Sequence, residues 1–502
     1  MNIFDSIAGR VADPEATAIE TPGGARITHA GLIARSGRMA NALASLGVAP
    51  GDRVAVQVEK SVEAIILYLA VVRAGAVFLP LNTAYTPAEV EYFLTDAEPR
   101  IFVCDPARAE ALRPAAERAG ARVLTLDAAG QGSLTEAAEG AAEDFATVPR
   151  EDGDLAALLY TSGTTGRSKG AMLSHGNLAS NALALVDARH FTARDVLIHA
   201  LPIFHTHGLF VATNVVLLSG GSMIFLPKFD PDRIFEAMGR ATVLMGVPTF
   251  YVRLLGDARL DAGATRNMRL FISGSAPLLA DTHRAWQART GHAILERYGM
   301  TETNMNSSNP YEGERIAGTV GLPLPGVEIL VTDPETGAPL PQGEIGMIEV
   351  RGPNVFQGYW RMPEKTAAEL RPNGFFITGD LGRFDERGYL QIVGRGKDLI
   401  ITGGFNVYPK EVESEIDALP GVTESAVIGL PHPDFGEGVT AVVVPSGTPA
   451  LTEAAVLTPL ESRLAKFKLP KRVVFLDELP RNTMGKVQKN LLRDRFAGLY
   501  RG

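Results

Sequence analysis

Short apolar runs alternate with amphipathic stretches through the first half of this 502-residue chain. Arg53–Val58 and Val77–Leu81 have the length and composition of strands, and Val62–Ala74 between them that of a helix. Strands that alternate with helices build mostly parallel sheets covered by helices, so this half is predicted to be α/β. The further strands predicted on the same grounds are Ile101–Cys104, Val123–Leu126, Leu155–Tyr160, Val196–Ala200, Met223–Leu226, Val243–Met245 and Leu270–Ile272.

The second half of the chain changes character twice. Val327–Tyr359 is rich in glycine and proline with alternating apolar residues, which predicts a small antiparallel β-barrel-like subdomain or sheet. After Gly394 the pattern indicates a compact α+β unit. A domain of about a hundred residues is an ordinary size. We therefore expect a large N-terminal domain over residues 1–396 and a smaller, mobile C-terminal domain over 397–502. The elements predicted within the latter are strands Ser425–Gly429, Thr440–Val444 and Val473–Phe475 and a helix Ala454–Leu464.

Composition excludes several classes of protein. The 48 basic and 57 acidic residues give a net charge of −9, and no basic stripe is present, so a nucleic-acid partner is not expected. The most apolar stretch, Ala64–Val72, ends at Arg73 and is too short to span a membrane. The acidic N-terminus lacks the apolar core of a signal peptide. Cys104 is the single cysteine and is interpreted as a core residue. These features predict a cytoplasmic protein.

The strongest single motif is LYTSGTTGRSKG at Leu159–Gly170, where an apolar strand leads into glycines, hydroxyl residues and a lysine. Glycines allow close backbone approach to an anion, hydroxyls donate to phosphate oxygens, and lysine supplies charge. Ser168 stands where the Walker motif requires glycine, which disfavours a kinase or GTPase. A plain Ser/Gly linker would not follow a buried strand so directly. The predicted ATP-binding residues here are Thr161, Ser162, Gly163, Thr164, Thr165, Gly166 and Lys169.

Four more motifs follow in order: YGMTE at Tyr298–Glu302, TGD at Thr378–Asp380, GRGKD at Gly394–Asp398 and PRNTMGK at Pro480–Lys486. Together with the phosphate loop they resemble the signature of the adenylate-forming superfamily, which contains acyl-CoA synthetases, luciferases and peptide-synthetase adenylation domains. The resemblance covers nearly the whole chain. It implies ATP-dependent activation of a carboxylic acid.

The resemblance also implies roles around the nucleotide. Tyr298 would stack on adenine, and the Thr301 hydroxyl would donate to the α-phosphate. Glu302 would bind Mg²⁺, the cofactor that offsets the triphosphate charge. Asp380 would accept the ribose hydroxyls, with Arg395 beside the ribose or the phosphates.

In this family the C-terminal domain rotates between two half-reactions. The resemblance makes Lys486 the catalytic lysine, which touches the substrate carboxylate and the α-phosphate, and Lys397 the hinge. Gly403 and Gly404 would line the tunnel for the pantetheine of CoA. A lysine acetyltransferase acting on Lys486 is a further possible partner, because acetylation would remove the charge that acts.

The identity of the acid depends on fewer residues. His205, a further catalytic candidate, stands where amino-acid-activating relatives carry an aspartate, which argues against an amino-acid substrate. His205 and His207 lack a third metal ligand, so a metal site is disfavoured. Arg253, Ser275 and His205 are predicted to line the acyl pocket, and an arginine there requires an anion, most simply the free carboxylate of a short dicarboxylate. The alternative for Arg253 is an ion pair with Asp257 on a helix surface.

The segments FHTHGL, GVPTFYVRLL, SGSAPLL, ERYGMTETNMNSSNPY and GRGKDLIITGGFNVYPKEVE together resemble the bacterial malonyl-CoA synthetases, some of which also accept methylmalonate. The resemblance implies that malonate, CoA and ATP are substrates and that AMP and pyrophosphate are released. Alternatives are a short- or medium-chain fatty acyl-CoA synthetase and an adenylation enzyme that loads a carrier protein. A non-catalytic AMP-sensing module is a third, disfavoured by the intact Thr301, Glu302 and Lys486.

Overall fold

The computed structural model describes residues 1–161, 168–402, 405–447, 451–482 and 485–500. The helices are α1 (Ile3–Ala8), α2 (His29–Ser45), α3 (Val62–Arg73), α4 (Pro87–Ala97), α5 (Pro106–Arg118), α6 (Ser133–Ala138), α7 (His175–Ala188), α8 (Asn214–Leu218), α9 (Pro231–Met238), α10 (Pro248–Leu255), α11 (Ala280–Thr290), α12 (Pro363–Glu369), α13 (Pro409–Asp417), α14 (Glu453–Leu460) and α15 (Lys489–Phe496). A π-helix spans His207–Thr213, and two 3₁₀ turns span Gly396–Asp398 and Lys466–Lys468.

The strands are β1 (Thr17–Glu20), β2 (Arg26–Thr28), β3 (Arg53–Gln57), β4 (Val77–Pro80), β5 (Ile101–Cys104), β6 (Arg122–Thr125), β7 (Leu155–Thr161), β8 (Lys169–Ser174), β9 (Val196–His199), β10 (Ser222–Phe225), β11 (Val243–Gly246), β12 (Leu270–Ser273), β13 (Leu295–Met300), β14 (Asn304–Ser308), β15 (Leu322–Pro323), β16 (Glu328–Thr332), β17 (Gly346–Arg351), β18 (Phe376–Phe384), β19 (Leu390–Arg395), β20 (Ile400–Thr402), β21 (Phe405–Val407), β22 (Val422–His432), β23 (Gly436–Pro445) and β24 (Arg472–Phe475).

Two mostly parallel sheets form the body of the chain. The first has the order β6-β5-β3-β4-β7-β8, and only β8 runs antiparallel to its neighbour. The second has nine strands in the order β15-β14-β13-β12-β11-β9-β10-β1-β2, of which β2, β14 and β15 are antiparallel additions at the two edges. The prediction of an α/β fold with mostly parallel sheets is confirmed.

Helix α3 illustrates why the two sheets share one interior. Ser61 caps its first turn by accepting from the Ala64 N–H, and all of its residues except Glu63 are buried. A helix that is apolar all round belongs inside a protein rather than on its surface. The last residue of the helix, Arg73, is buried and donates to the backbone oxygens of Ile33 at 2.9 Å and Phe145 at 2.6 Å. The large hydrophobic core accordingly contains residues from both sheets.

The segment predicted as a small antiparallel unit forms an open sheet with the order β16-β17-β18-β19. Pairing of β18 with β19 puts Asp380 directly opposite Arg395. The sheet therefore delivers two of the expected nucleotide-binding side chains to one point.

The C-terminal part is built on a long antiparallel pair, β22 and β23, with β20, β21 and β24 beside it and helices on both faces. Helix α14 ends at Leu460, earlier than predicted, after Pro459. A 3₁₀ turn over Gly396–Asp398 connects this part to β19. In the described part of the chain, no helix is long and apolar enough to span a membrane.

Candidate active site

The phosphate-loop motif connects two antiparallel strands. Thr161 ends β7 and pairs with Lys169, which begins β8. The chain on the β8 side is held by Tyr92, whose hydroxyl donates to the Ser168 carbonyl at 2.7 Å. Ser162, Gly163, Thr164, Thr165 and Gly166, which the sequence predicts to bind phosphate, lie outside the described residues. A β-hairpin connection differs from a Walker loop, which leads into a helix, and this agrees with the failed match to that motif.

Lys169 is held by two groups that the sequence did not single out. Its Nζ lies 3.3 Å from Glu369 Oε2 and 4.1 Å from the centre of the Tyr359 ring. The Tyr359 hydroxyl in turn lies 2.7 Å from Glu369 Oε2 and 3.0 Å from Glu302 Oε1. No motif marks Glu369, because it approaches Lys169 from α12, two hundred residues away in sequence.

Glu302 is buried, and burial raises the pKa of its carboxyl group. It forms no ion pair with any of the described residues, so its charge is available to a cation. A single hard-oxygen ligand suits Mg²⁺, which commonly takes one or two carboxylates and completes its shell with phosphate oxygens and water. Within the described residues no group of three or more His, Cys, Asp or Glu could hold a metal ion without such help. Thr301, partly buried, directly precedes Glu302.

Tyr298, Asp380 and Arg395 form one connected group. The Tyr298 hydroxyl donates to Asp380 Oδ2 at 2.5 Å, and Arg395 Nε lies 2.6 Å from Asp380 Oδ1. Burial and the Asp380 charge raise the pKa of Tyr298 well above its ordinary value, so the phenol stays protonated and acts as the donor. The structure thus brings together the three residues that the sequence assigns to adenine and ribose.

Lys486 comes from the C-terminal part, yet it lies close enough to Arg395 and Asp380 for their charges to influence its ammonium group. It retains solvent-exposed surface, yet the protein around its ammonium group and the charge of Arg395 lower its pKa to about 8. The loop that carries it is fixed by reciprocal contacts with Asn482, each 2.9 Å long, and by Arg481, which donates to the Gly485 carbonyl. Its charge also influences His205, so the lysine lies near both the predicted ribose site and the predicted acid site.

The acid side is formed around the π-helix His207–Thr213. His207 Nδ1 lies 3.1 Å from the Ser275 hydroxyl, and His205 Nδ1 accepts from the His207 N–H at 3.3 Å. Burial and the charge of Arg297 lower the pKa of His205 to about 4 and that of His207 well below its ordinary value. Both imidazoles are therefore neutral at pH 7 and able to offer one N–H donor each.

Arg297, which precedes Tyr298 on β13, is the residue that sequence reasoning missed here. It is 4% exposed, and its Nε and one terminal nitrogen have no hydrogen-bond partner among the described residues. The guanidinium lies so close to Gly274 that a Cβ there would come within 2.7 Å of it. Burial lowers its pKa to about 9, which leaves it charged at neutral pH. The signal available in the sequence was an arginine directly before the YGMTE motif.

Arg253, the sequence-based candidate, occupies a different position. It is exposed on α10 and lines a cavity of about 270 Å³ together with Pro202, Thr249 and, from the C-terminal part, Arg481. Asp257, its suggested ion-pair partner, is instead bound by Arg259 at 2.6 Å. Arg253 thus lies at a solvent-accessible cavity, whereas Arg297 is buried in the interior.

The predicted hinge and CoA-tunnel residues lie where the chain enters the C-terminal part. Lys397 sits in the 3₁₀ turn between β19 and β20, where burial lowers its pKa. Its neighbour Asp398 forms an ion pair of 2.5 Å with Arg493 of α15. Gly403 and Gly404, predicted to line the CoA tunnel, lie outside the described residues. Cys104 is buried, in agreement with its interpretation as a core residue.

Known proteins similar to this chain agree on its class. The family model described as AMP-binding enzyme matches residues 9–360, and the model of the AMP-binding enzyme C-terminal domain matches residues 411–486. The crystal structure of ATP-bound MatB from Rhodopseudomonas palustris is 67% identical, covers 99% of both chains and has a TM-score of 0.98. A feruloyl-CoA synthase from Amycolatopsis sp is 38% identical over 96% of both chains. A malonate–CoA ligase from Arabidopsis thaliana is 35% identical over 89% of this chain and 78% of its own length.

Proposed function

Since the chain belongs to the AMP-binding enzyme family and is an adenylate-forming CoA ligase, we propose that its acid substrate is malonate. The product is malonyl-CoA, formed through malonyl-AMP. The observation that carries this proposal is the buried guanidinium of Arg297, which has no carboxylate partner among the described residues. A buried charge of this kind is costly unless an anion meets it.

The acid site supports a second carboxylate in several ways. Arg297 can form a two-pronged contact with a carboxylate, and His207 and Ser275 stand beside it as neutral hydrogen-bonding groups. The side chain of Arg189 is fully buried, has no hydrogen-bond partner in the described part of the chain, and is close enough to Arg297 for the two guanidinium groups to influence each other. An aliphatic tail would leave these charges uncompensated, which disfavours a short- or medium-chain fatty acid as substrate.

The first half-reaction follows from this placement. A carboxylate oxygen of malonate attacks the α-phosphorus of ATP, the bond to the β-phosphate oxygen breaks, and pyrophosphate leaves. Lys486 offsets the negative charge that accumulates as the two anions meet. Glu302 would hold Mg²⁺, which neutralises triphosphate charge when bound. Tyr298, Asp380 and Arg395 hold the nucleoside.

In the second half-reaction the sulfur of CoA attacks the acyl carbon of malonyl-AMP and AMP leaves. Lys397 is the proposed pivot that moves Lys486 out of the site, and Gly403 and Gly404 are the proposed walls of the CoA tunnel. Methylmalonate is a possible second substrate. The comparisons give no support to acetylation of Lys486 by a lysine acetyltransferase, which stays a prediction.

The proposal is tested by substituting the arginines. Loss of a desolvated charge pair costs roughly 2–5 kcal/mol, so Arg297→Ala is expected to lower kcat/KM for malonate by between about thirtyfold and about four-thousandfold. Activity on acetate or propionate should fall far less. Arg297→Lys should rescue only in part, because a point charge does not reproduce the planar fork. The assay is CoA-ester formation over acetate to octanoate and malonate to glutarate.

Arg253 is proposed as a second contact to the free carboxylate, at the mouth of the site. Because it is exposed, water screens its charge, and Arg253→Ala is expected to cost only about tenfold in kcat/KM for malonate. Arg284, exposed on α11 and paired with Asp281, supplies the matched control, and its alanine variant should behave like wild type. A larger loss from Arg253→Ala than from Arg297→Ala would return the main contact to Arg253. Normal malonate turnover in both variants would refute the roles given to the two arginines, and a wild-type enzyme that forms no CoA ester from malonate would refute malonate as the substrate.

A further inference from the structure

Lys169, the lysine of the phosphate loop, is paired with a carboxylate of the protein itself. Its ammonium group forms an ion pair of 3.3 Å with Glu369, and the two side chains are 21% and 23% exposed. The face of the Tyr359 ring adds a cation–π contact at 4.1 Å. The lysine that is predicted to bind phosphate therefore forms an ion pair with a carboxylate of α12.

Glu369 forms a second ion pair, with a lysine of its own helix. Lys365, one turn earlier on α12, lies 2.7 Å from Glu369 Oε1, on the other oxygen from the one nearest Lys169. Burial alone would raise the pKa of Glu369, but hydrogen bonds from Lys365 and Tyr359 and the charge of Lys169 hold it below its ordinary value. Glu369 thus remains compensated when one of its two lysines departs.

Glu302, the predicted Mg²⁺ ligand, lies close to both Lys169 and Glu369. The Tyr359 hydroxyl lies within hydrogen-bonding distance of both Glu302 and Glu369, so the two carboxylates stand on either side of one phenol. Lys169 is close enough to Glu302 for its charge to influence that carboxyl group. Without Glu369, the ammonium group could pair with the buried carboxylate of Glu302 and would compete there with Mg²⁺.

We propose that Glu369 is a positioning residue that holds Lys169 away from Glu302 in the nucleotide-free enzyme and releases it to the phosphates of ATP. Lys365 neutralises Glu369 once Lys169 has left. Lys169 thus passes from Glu369 to the phosphates of ATP, and Glu302 remains available to Mg²⁺ in both states. It concerns the nucleotide and does not depend on which acid the enzyme activates.

The test is equilibrium binding of MgATP and of adenosine by isothermal titration calorimetry, without acid or CoA. In Glu369→Gln the ion pair no longer has to be broken, so MgATP should bind about fivefold more tightly. Adenosine carries no phosphate, and its affinity should not change. In Lys365→Met, Glu369 holds Lys169 more firmly, and MgATP should bind about threefold more weakly. Glu364→Gln, at an exposed position in the first turn of the same helix, is the matched control.

The same titrations in a Lys169→Met background distinguish two explanations. Either Glu369 acts by holding and releasing Lys169, or its negative charge simply repels the triphosphate. If Glu369 acts through Lys169, adding Glu369→Gln to this background should leave MgATP affinity unchanged. An equal gain in both backgrounds would mean that Glu369 only repels the triphosphate, and the proposal would be overturned. Weaker MgATP binding in Glu369→Gln with adenosine binding intact would overturn it as well. Neither result would bear on the choice of malonate.

Discussion

At the residue scale, the site is defined by cations whose partners are incomplete. Arg297 has no carboxylate partner in the described part of the chain, and Lys486 carries a pKa lowered to about 8 by burial and by Arg395. Both groups are destabilised as they stand, and both would be stabilised by an approaching anion. Both cations therefore contribute free energy that favours the binding of anionic substrates.

The lowered pKa of Lys486 predicts a pH dependence. The kcat/KM for ATP reports groups in the free enzyme, so the rate of malonate-dependent ATP–pyrophosphate exchange should fall about tenfold per pH unit above roughly pH 8. The alkaline decline of kcat should occur at higher pH than that of kcat/KM, because the bound triphosphate favours the charged form of Lys486. The measurement is the exchange rate between pH 6.5 and about 10.

Dissociation of the segment that carries Lys486 from the N-terminal part cannot explain a loss of exchange activity at high pH. The pKa of Lys486 is lower in the docked loop than its ordinary value of 10.5, so docking is strengthened as pH rises through this window. Conversion of pre-formed malonyl-AMP and CoA to malonyl-CoA should show no such alkaline decline. A parallel decline of both half-reactions would contradict the role given to the lysine charge.

At the scale of elements, the π-helix His207–Thr213 places His207 against Ser275. Its first turn is tied down because the Gly208 carbonyl lies 2.9 Å from His199 Nε2, and Lys60 Nζ lies 2.9 Å from His199 Nδ1. A lysine can only donate, so His199 accepts at Nδ1 and donates from Nε2 to Gly208. Single-turn π-helical segments of this kind are frequent at functional sites.

Gly208 leaves no room for a side chain, since a Cβ would lie 2.0 Å from the Pro202 carbonyl oxygen. Gly208→Ala should therefore destabilise the N-terminal domain by about 1–3 kcal/mol and lower malonate turnover by displacing His207. Urea unfolding and CoA-ester formation measure the two effects. Gly239→Ala, at a helix end where the nearest atom is 3.7 Å away, should be nearly neutral. Equal effects of the two substitutions would refute the steric argument.

At the scale of the whole molecule, the C-terminal part contributes Lys486 and Arg481 to a candidate site formed mostly by the N-terminal part. The match to ATP-bound MatB extends over nearly the entire chain, so the two parts are arranged as in that nucleotide complex. We expect this arrangement to serve adenylate formation alone. A rotation at Lys397 would then prepare the second half-reaction.

Two substitutions should separate the half-reactions. Lys486→Ala is expected to abolish malonyl-AMP formation and to spare its conversion with CoA. Lys397→Pro should do the reverse, because proline fixes φ near −65° and restricts the pivot. ATP–pyrophosphate exchange and thioester formation from malonyl-AMP measure the steps separately. If Lys397→Pro leaves both intact, the pivot lies at Gly394 or Gly396.

The sequence alone predicted much of the fold. Apolar runs of strand length recur where β3, β5, β7, β9, β11 and β12 are found, because a strand buried on both faces must be apolar throughout. The edge strands β2 and β15, the strand β1 beside β2, and the π-helix were not predicted. Edge strands are short and partly polar, and a π-helix has the composition of an ordinary helix.

The nucleotide motifs could be read from the sequence because each concentrates its chemistry in a few consecutive residues. By itself the sequence determined the class of enzyme and the identity of Tyr298, Asp380, Arg395 and Lys486 as one candidate site. Only the tertiary structure revealed that Glu369 holds Lys169 and that Arg297 is buried without a carboxylate partner in the described part of the chain. Burial and pairing depend on atoms contributed by distant segments, and no local pattern of residues encodes them.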